Sequence, residues 1–93
     1  MDALQVKRER EKRLVSTIKK LDSEKVGLQK MQIAEANELQ KAAEQGFRMN
    51  PSEEYTTRQR RISDITALVG MHLALNRDIL PNVKAELERS LGK

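Results

Sequence analysis

The stretch Gly46-Phe47-Arg48-Met49-Asn50-Pro51 divides the chain into two halves of similar length, and no other feature restricts the possible folds as much. Upstream of it there is no proline, and Leu14, Ile18, Leu21 and Leu28 fall at spacings of three, four and seven, with Leu39 and Ala42 resuming the line. That period belongs to one face of an α-helix. Lys25, Gln32 and Glu35 interrupt the face, while Val15, Val26, Met31 and Ile33 form a second apolar shoulder that one partner helix would not fully cover. Gly46 supplies the residue most easily placed in the left-handed conformation after a helix. Asn50, Pro51 and Glu53 read as N-cap, N1 and N3 of the next helix, because proline lacks the N–H that a first turn leaves unpaired.

Asp2 followed by Gln5 is an N-cap with a capping-box partner, so the first helix is expected to start near Ala3. The second carries Ile62, Ile65, Val69, His72, Asn76, Ile79 and Val83 at alternating spacings of three and four, flanked by Leu68 and Leu75 and by Leu73, Leu80 and Leu87. That face is wider than a two-stranded seam needs. Gly70 within it either permits close approach of a helix or is simply tolerated, at about 1 kcal/mol against alanine. Pro81 removes the bond to the Arg77 carbonyl, but Val83, Leu87 and Leu91 prolong the apolar phase beyond it. A kink at Pro81 within a continuing helix is therefore expected, in preference to a break with a short third helix.

The expected fold is all-α: one helical domain over residues 1–93, with a helix at about 3–45, a turn at 46–50 and a helix at about 51–90. Two helices of similar length joined by a short loop make a long antiparallel, coiled-coil-like hairpin. Its wide second face would be completed by a third segment folding back or, as the better expectation, by a second copy in a four-helix bundle.

Composition narrows the chemistry. Of the 93 residues, 34% are charged, and the aromatic residues are Phe47 and Tyr55 alone. With no cysteine there is no disulfide framework and no thiolate metal site, which suits a reducing cytoplasm. The charged N-terminus does not resemble a signal peptide, and no apolar run approaches the roughly 18 residues of a spanning helix. The net charge of +4 is polarised, with seven bases against three acids in residues 1–20 and three against five in residues 21–45. Glu9 and Glu11 interleave with the N-terminal bases and no aromatic residue accompanies them, so nucleic acid is not the expected partner.

Neither a catalytic constellation nor a phosphate loop is discernible. His72 is the sole histidine and has no second ligand residue nearby, so it is read as a seam residue satisfied by a hydrogen bond. Asn76, one turn on, is read as a polar seam residue that fixes register. Neither a metal nor a cofactor is expected, and helix surface is left to carry function through another protein. Arg58, Arg60 and Arg61 beside Tyr55 would suit an acidic partner surface.

Several stretches resemble one family: Lys12-Arg13-Leu14-Val15 in the first helix, Asn50-Pro51 after the turn, Tyr55 with Arg58-Gln59, and Arg77 ahead of Leu80-Pro81. Together they are similar to tubulin-binding cofactor A. The resemblance implies a non-enzymatic cytosolic chaperone that captures folding β-tubulin before the heterodimer is assembled, without nucleotide or metal. From the surface reading, Glu35, Glu38, Tyr55, Arg58 and Arg61 are expected on the outer faces that meet the client. The alternative is a small helical secretion chaperone or a coiled-coil adaptor of a larger assembly, with Leu68, Leu73, Leu75 and Leu80 as its interface.

Overall fold

A computed structural model describes residues 2–90. The chain forms α1 (Ala3–Glu44), α2 (Glu53–Leu75), a 3-10 turn (Arg77–Ile79) and α3 (Leu80–Ser90). The rod measures 66 × 24 × 16 Å, and its long dimension is that of α1, since 42 residues at 1.5 Å each span about 63 Å. The expected all-α hairpin is the observed one. None of its helices is long and apolar enough to cross a membrane, among the described residues.

Local signals set the boundaries of α1. The Asp2 carboxylate accepts the Gln5 N–H at 2.8 Å, as expected of the cap. At the other end Gly46 takes φ +86°, and the Gly46 and Phe47 N–H groups donate to the Ala43 and Ala42 carbonyls. These two bonds make a Schellman ending, which needs a residue free of the left-handed penalty at that position. The start of α2 differs from expectation. Its N-cap is Ser52, not Asn50, and Pro51 lies ahead of the cap rather than at N1. The cause is tertiary: Glu35 accepts from both the Ser52 N–H and its hydroxyl, while the Ser52 Oγ accepts the Tyr55 N–H.

The return arm also departs from expectation. Pro81 does not kink a continuing helix; α2 ends at Leu75, five residues ahead of α3's first residue. Asn76 leaves the helical region with φ −124° and ψ 36°, and its side-chain amide donates to the His72 carbonyl at 2.7 Å. That carbonyl would otherwise have received the Asn76 N–H, which donates instead to Leu73. A 3-10 turn follows, in which the Leu80 N–H takes the Arg77 carbonyl. Pro81 thus falls in the first turn of α3, where a missing N–H costs nothing. Among the described residues no segment folds back over the arm, because α3 continues along α1: Glu11 receives the Asn82 amide, and Val83 packs with Leu14, Val15 and Ile18.

The seam keeps a sevenfold repeat along α1, through Ile18, Lys25, Gln32 and Leu39 and through Leu14, Leu21, Leu28 and Glu35, all buried or half-buried. On the return arm the expected positions from Ile62 to Val83 face it, straight through the 3-10 turn. Leu91 lies outside the described residues. The buried apolar cluster occupies one end of the rod, with Leu14, Val15, Ile18, Ile79 and Val83 backed by Val69, Leu73 and Leu87. Toward the loop the buried residue is Gln32.

Candidate partner-binding surface

The two ends of the hairpin are closed by different chemistry, and this decides which side chains are free. In the half toward the loop, Gln32 lies in the seam and uses its whole amide. Its Nε2 donates to the Tyr55 carbonyl at 3.0 Å and to Gln59 Oε1 at 3.2 Å, and its Oε1 accepts from Arg58 Nε at 2.6 Å. Arg58 also donates to Glu35, which holds the Ser52 cap. Farther along, Arg61 forms a two-pronged pair with Glu24, and Lys25 donates to Thr66. Burial without a partner is costly for such groups, and no buried side-chain polar atom among the described residues lacks one.

The carboxylates feel these partners. Glu35 is held below the usual carboxylate range first by the Ser52 N–H, opposed by partial desolvation, with the Ser52 hydroxyl and Arg58 adding to the lowering. Glu24 is lowered chiefly by its hydrogen bond from Arg61, whose own pKa is raised in return.

At the other end Arg10 reaches from α1 to the junction of α2 and the 3-10 turn. It donates to both carboxylate oxygens of Asp78, at 2.9 and 3.0 Å, and to Asn76 Oδ1 at 3.2 Å. Hydrogen bonding from Arg10 lowers Asp78, and the same bond raises Arg10. Asn76 thus occupies the seam as expected, yet it acts as the cap at which α2 stops. His72 is half-buried beside it and contributes its carbonyl rather than its ring.

Of the five residues expected on the outer faces, Glu38 is exposed. Glu35, Tyr55 and Arg58 are half-buried at the seam, where Tyr55 supplies main-chain atoms to Ser52 and Gln32. Arg61 lies at the seam's edge with its head group paired. The helical pattern marked these residues as polar and hence outward; pairing across the hairpin turns them inward. Ser52, Glu24, Arg10 and Asp78 carry no mark in the sequence pattern, and Gln32 stands out there only as an interruption of the apolar face. For Gln32 a signal existed, since it stands seven residues from Lys25 and from Leu39.

Apolar surface remains where no polar bond occupies it. On the outer side of α2, Met71 and Leu75 are 58% and 75% exposed, adjoining half-buried Leu68 and the charged pair Arg61 and Asp64. Around the loop, Phe47, Met49 and Met31 are exposed, the last two beside a shallow recess that also takes in Glu35, Glu38 and Arg58. Among the described residues no three His, Asp or Glu side chains are grouped to hold a metal ion. Comparison of the chain with protein-family models, with curated proteins and with solved structures finds no match.

Proposed function

We propose that this protein is a non-enzymatic helical chaperone that binds another protein along the outer side of its return arm. The observation that supports this reading is the apolar strip of Leu68, Met71 and Leu75 on the outer side of α2, bordered by Arg61 and Asp64; Leu75 is the most exposed of the large apolar side chains described, while Val26, Met31 and Ile33 on α1 are exposed as well. Large aliphatic side chains exposed in a row, rimmed by charge, are the usual mark of a protein contact. β-Tubulin is the first client to test, on the strength of the resemblance carried by Lys12-Arg13-Leu14-Val15, Tyr55, Arg58-Gln59 and Leu80-Pro81, and the setting is the cytoplasm. Glu38 and the loop-end residues Phe47 and Met49 extend the surface available to a client.

The test is co-elution of the purified protein with β-tubulin released from its chaperonin, with intact αβ-tubulin as control. A complex with β-tubulin alone, abolished by Met71→Glu with Leu75→Glu, is the expected result. Absence of any complex removes the tubulin client. An unchanged complex with the double variant removes the strip.

A second reading, a secretion chaperone or adaptor subunit, draws support from the uneven core. Beyond Ile65 the half toward the loop holds Gln32 as its buried residue, so the free chain would be only marginally stable. Thermal unfolding separates the two: a broad transition that sharpens with partner favours the subunit, and a sharp independent one favours the autonomous chaperone.

A further inference from the structure

We propose that the outward face of α1 around Ser16 docks an acidic helical segment of a partner protein. Ser16 is exposed and is flanked at three and four residues on either side by Lys12, Arg13, Lys19 and Lys20, all exposed. Residues at these separations are neighbours on one helix face, so the four cations surround the hydroxyl within about 6 Å of helix rise in each direction.

In the sequence this face looks neutralised, because Glu9 and Glu11 stand among the bases. Folding turns Glu11 away, while Glu9 stays one turn ahead of the quartet on the same face. Glu11 is half-buried and turned to the return arm, where it accepts from Asn82. Asp22 is half-buried as well, and Glu24, one turn beyond Lys20, is taken by Arg61; Glu9, three and four residues ahead of Lys12 and Arg13, is the one acid beside them and forms an ion pair with neither. Of the other bases nearby, Arg10 is committed to Asp78, and Lys7 and Arg8 are exposed toward the N-terminus. Among the described residues the ion pairs are those of Arg10, Arg58 and Arg61, and none involves the quartet. Four cations are therefore left on one face with no acid bound to them.

Their spacing selects the partner. Lys12 and Lys19 form one row and Arg13 and Lys20 another, each with a seven-residue interval, about 10.5 Å at 1.5 Å per residue. Between the rows lie the small exposed residues Ser16 and Ser23, over which a second helix could pack closely. A helix with glutamates repeating at seven on its two flanks would meet both rows in register, as flanking charges do in coiled coils. A single-stranded nucleic acid would want aromatic platforms, and Phe47 and Tyr55 both lie toward the loop end, away from this face. The surface is separate from the apolar strip on α2 and stands whether or not that strip holds a client.

The experiment is fluorescence anisotropy of a labelled three-heptad helical peptide carrying glutamates on both flanks, against the full chain. Parallel probes are a scrambled peptide of the same composition and labelled single-stranded and duplex oligonucleotides. The heptad peptide is expected to bind at least about tenfold tighter than the scrambled one, and to weaken at least about tenfold as salt screens the pairs. Replacing Lys12, Arg13, Lys19 and Lys20 together by Gln should weaken it about tenfold or more. A charge-matched variant with Lys30, Lys41, Arg48 and Arg60 replaced by Gln should change it less than about twofold. Reversing the quartet to Glu should transfer binding to a lysine version of the peptide. Circular dichroism checks that each variant is folded. Equal loss in both Gln variants, no binding of the heptad peptide, or tighter binding of either oligonucleotide would overturn the proposal.

Discussion

Arg10 donates to both oxygens of the Asp78 carboxylate and to the Asn76 amide oxygen, so one guanidinium ties α1 to the residues where α2 gives way. Arg10→Ala should therefore speed amide exchange in residues 77–90 while leaving residues 60–70 near their native rates, measured by hydrogen exchange with mass spectrometry. The carboxylates give a pH dependence of definite sign. Asp78, Glu24 and Glu35 are all lowered in the folded chain from ordinary values of 3.8, 4.5 and 4.5. Their contributions are fully present above those values and disappear as pH falls through the lower folded ones. The thermal midpoint should thus be flat on this account above about pH 5 and fall below about pH 4. An Asp78→Asn, Glu24→Gln, Glu35→Gln triple variant should show a shallower fall, and an equal slope in both proteins would remove these pairs as its cause.

Among the elements, Gly46 keeps the role its position suggests, Gly70 takes the second of its two readings, and Pro81 departs from its own. Gly70 lies within α2, but a Cβ built there meets nothing within 4 Å, so no helix approaches it. Gly70→Ala should raise stability by up to about 1 kcal/mol in urea unfolding. Gly46 also has open space around it, yet its φ of +86° is a conformation that L side chains rarely adopt. Gly46→Ala should lower stability by about 1 kcal/mol. Pro81 occupies the first turn of α3, so Pro81→Ala should change stability by less than about 1 kcal/mol, not relieve the roughly 3 kcal/mol of a mid-helix proline. A large gain would mean that the helix was strained at Pro81 after all.

Over the whole molecule, burial is concentrated at one end of a 66 Å rod. A chain of this length has a total stability of roughly 5–15 kcal/mol. Ile79 is fully buried in the main cluster, and Ile79→Ala should cost about 2–5 kcal/mol, enough to leave the chain close to unfolding at 37 °C. The other end relies on hydrogen bonds of Gln32, Arg58, Glu35 and Ser52, whose net worth is small beside aliphatic burial. Exchange protection should accordingly be greatest near Leu14 to Ile18 and Ile65 to Leu73, and fall toward the loop. Client capture on the α2 strip would leave this gradient in place, because Met71 and Leu75 are outside the core.

Periodicity and caps were enough to read an all-α hairpin with its turn at Gly46, because helix phase, an Asp cap and a left-handed glycine act within a few residues of chain. The seam through Ile62, Ile65, Val69, Asn76, Ile79 and Val83 was legible for the same reason. What required the folded arrangement was every choice between two local possibilities of similar energy. Ser52 displaced Asn50 as cap because Glu35 of the facing helix reaches it. The arm broke at Asn76 rather than Pro81 because Asn76 could satisfy the His72 carbonyl and receive Arg10. Lys25, Gln32 and Glu35 looked like gaps in an apolar face and are its polar joints. The candidate site changed most, since a charged residue on a helix carries no mark of whether its partner lies across the seam or on another protein. That difference separates Arg58 and Arg61, bound within the hairpin, from Lys12, Arg13, Lys19 and Lys20, left facing outward.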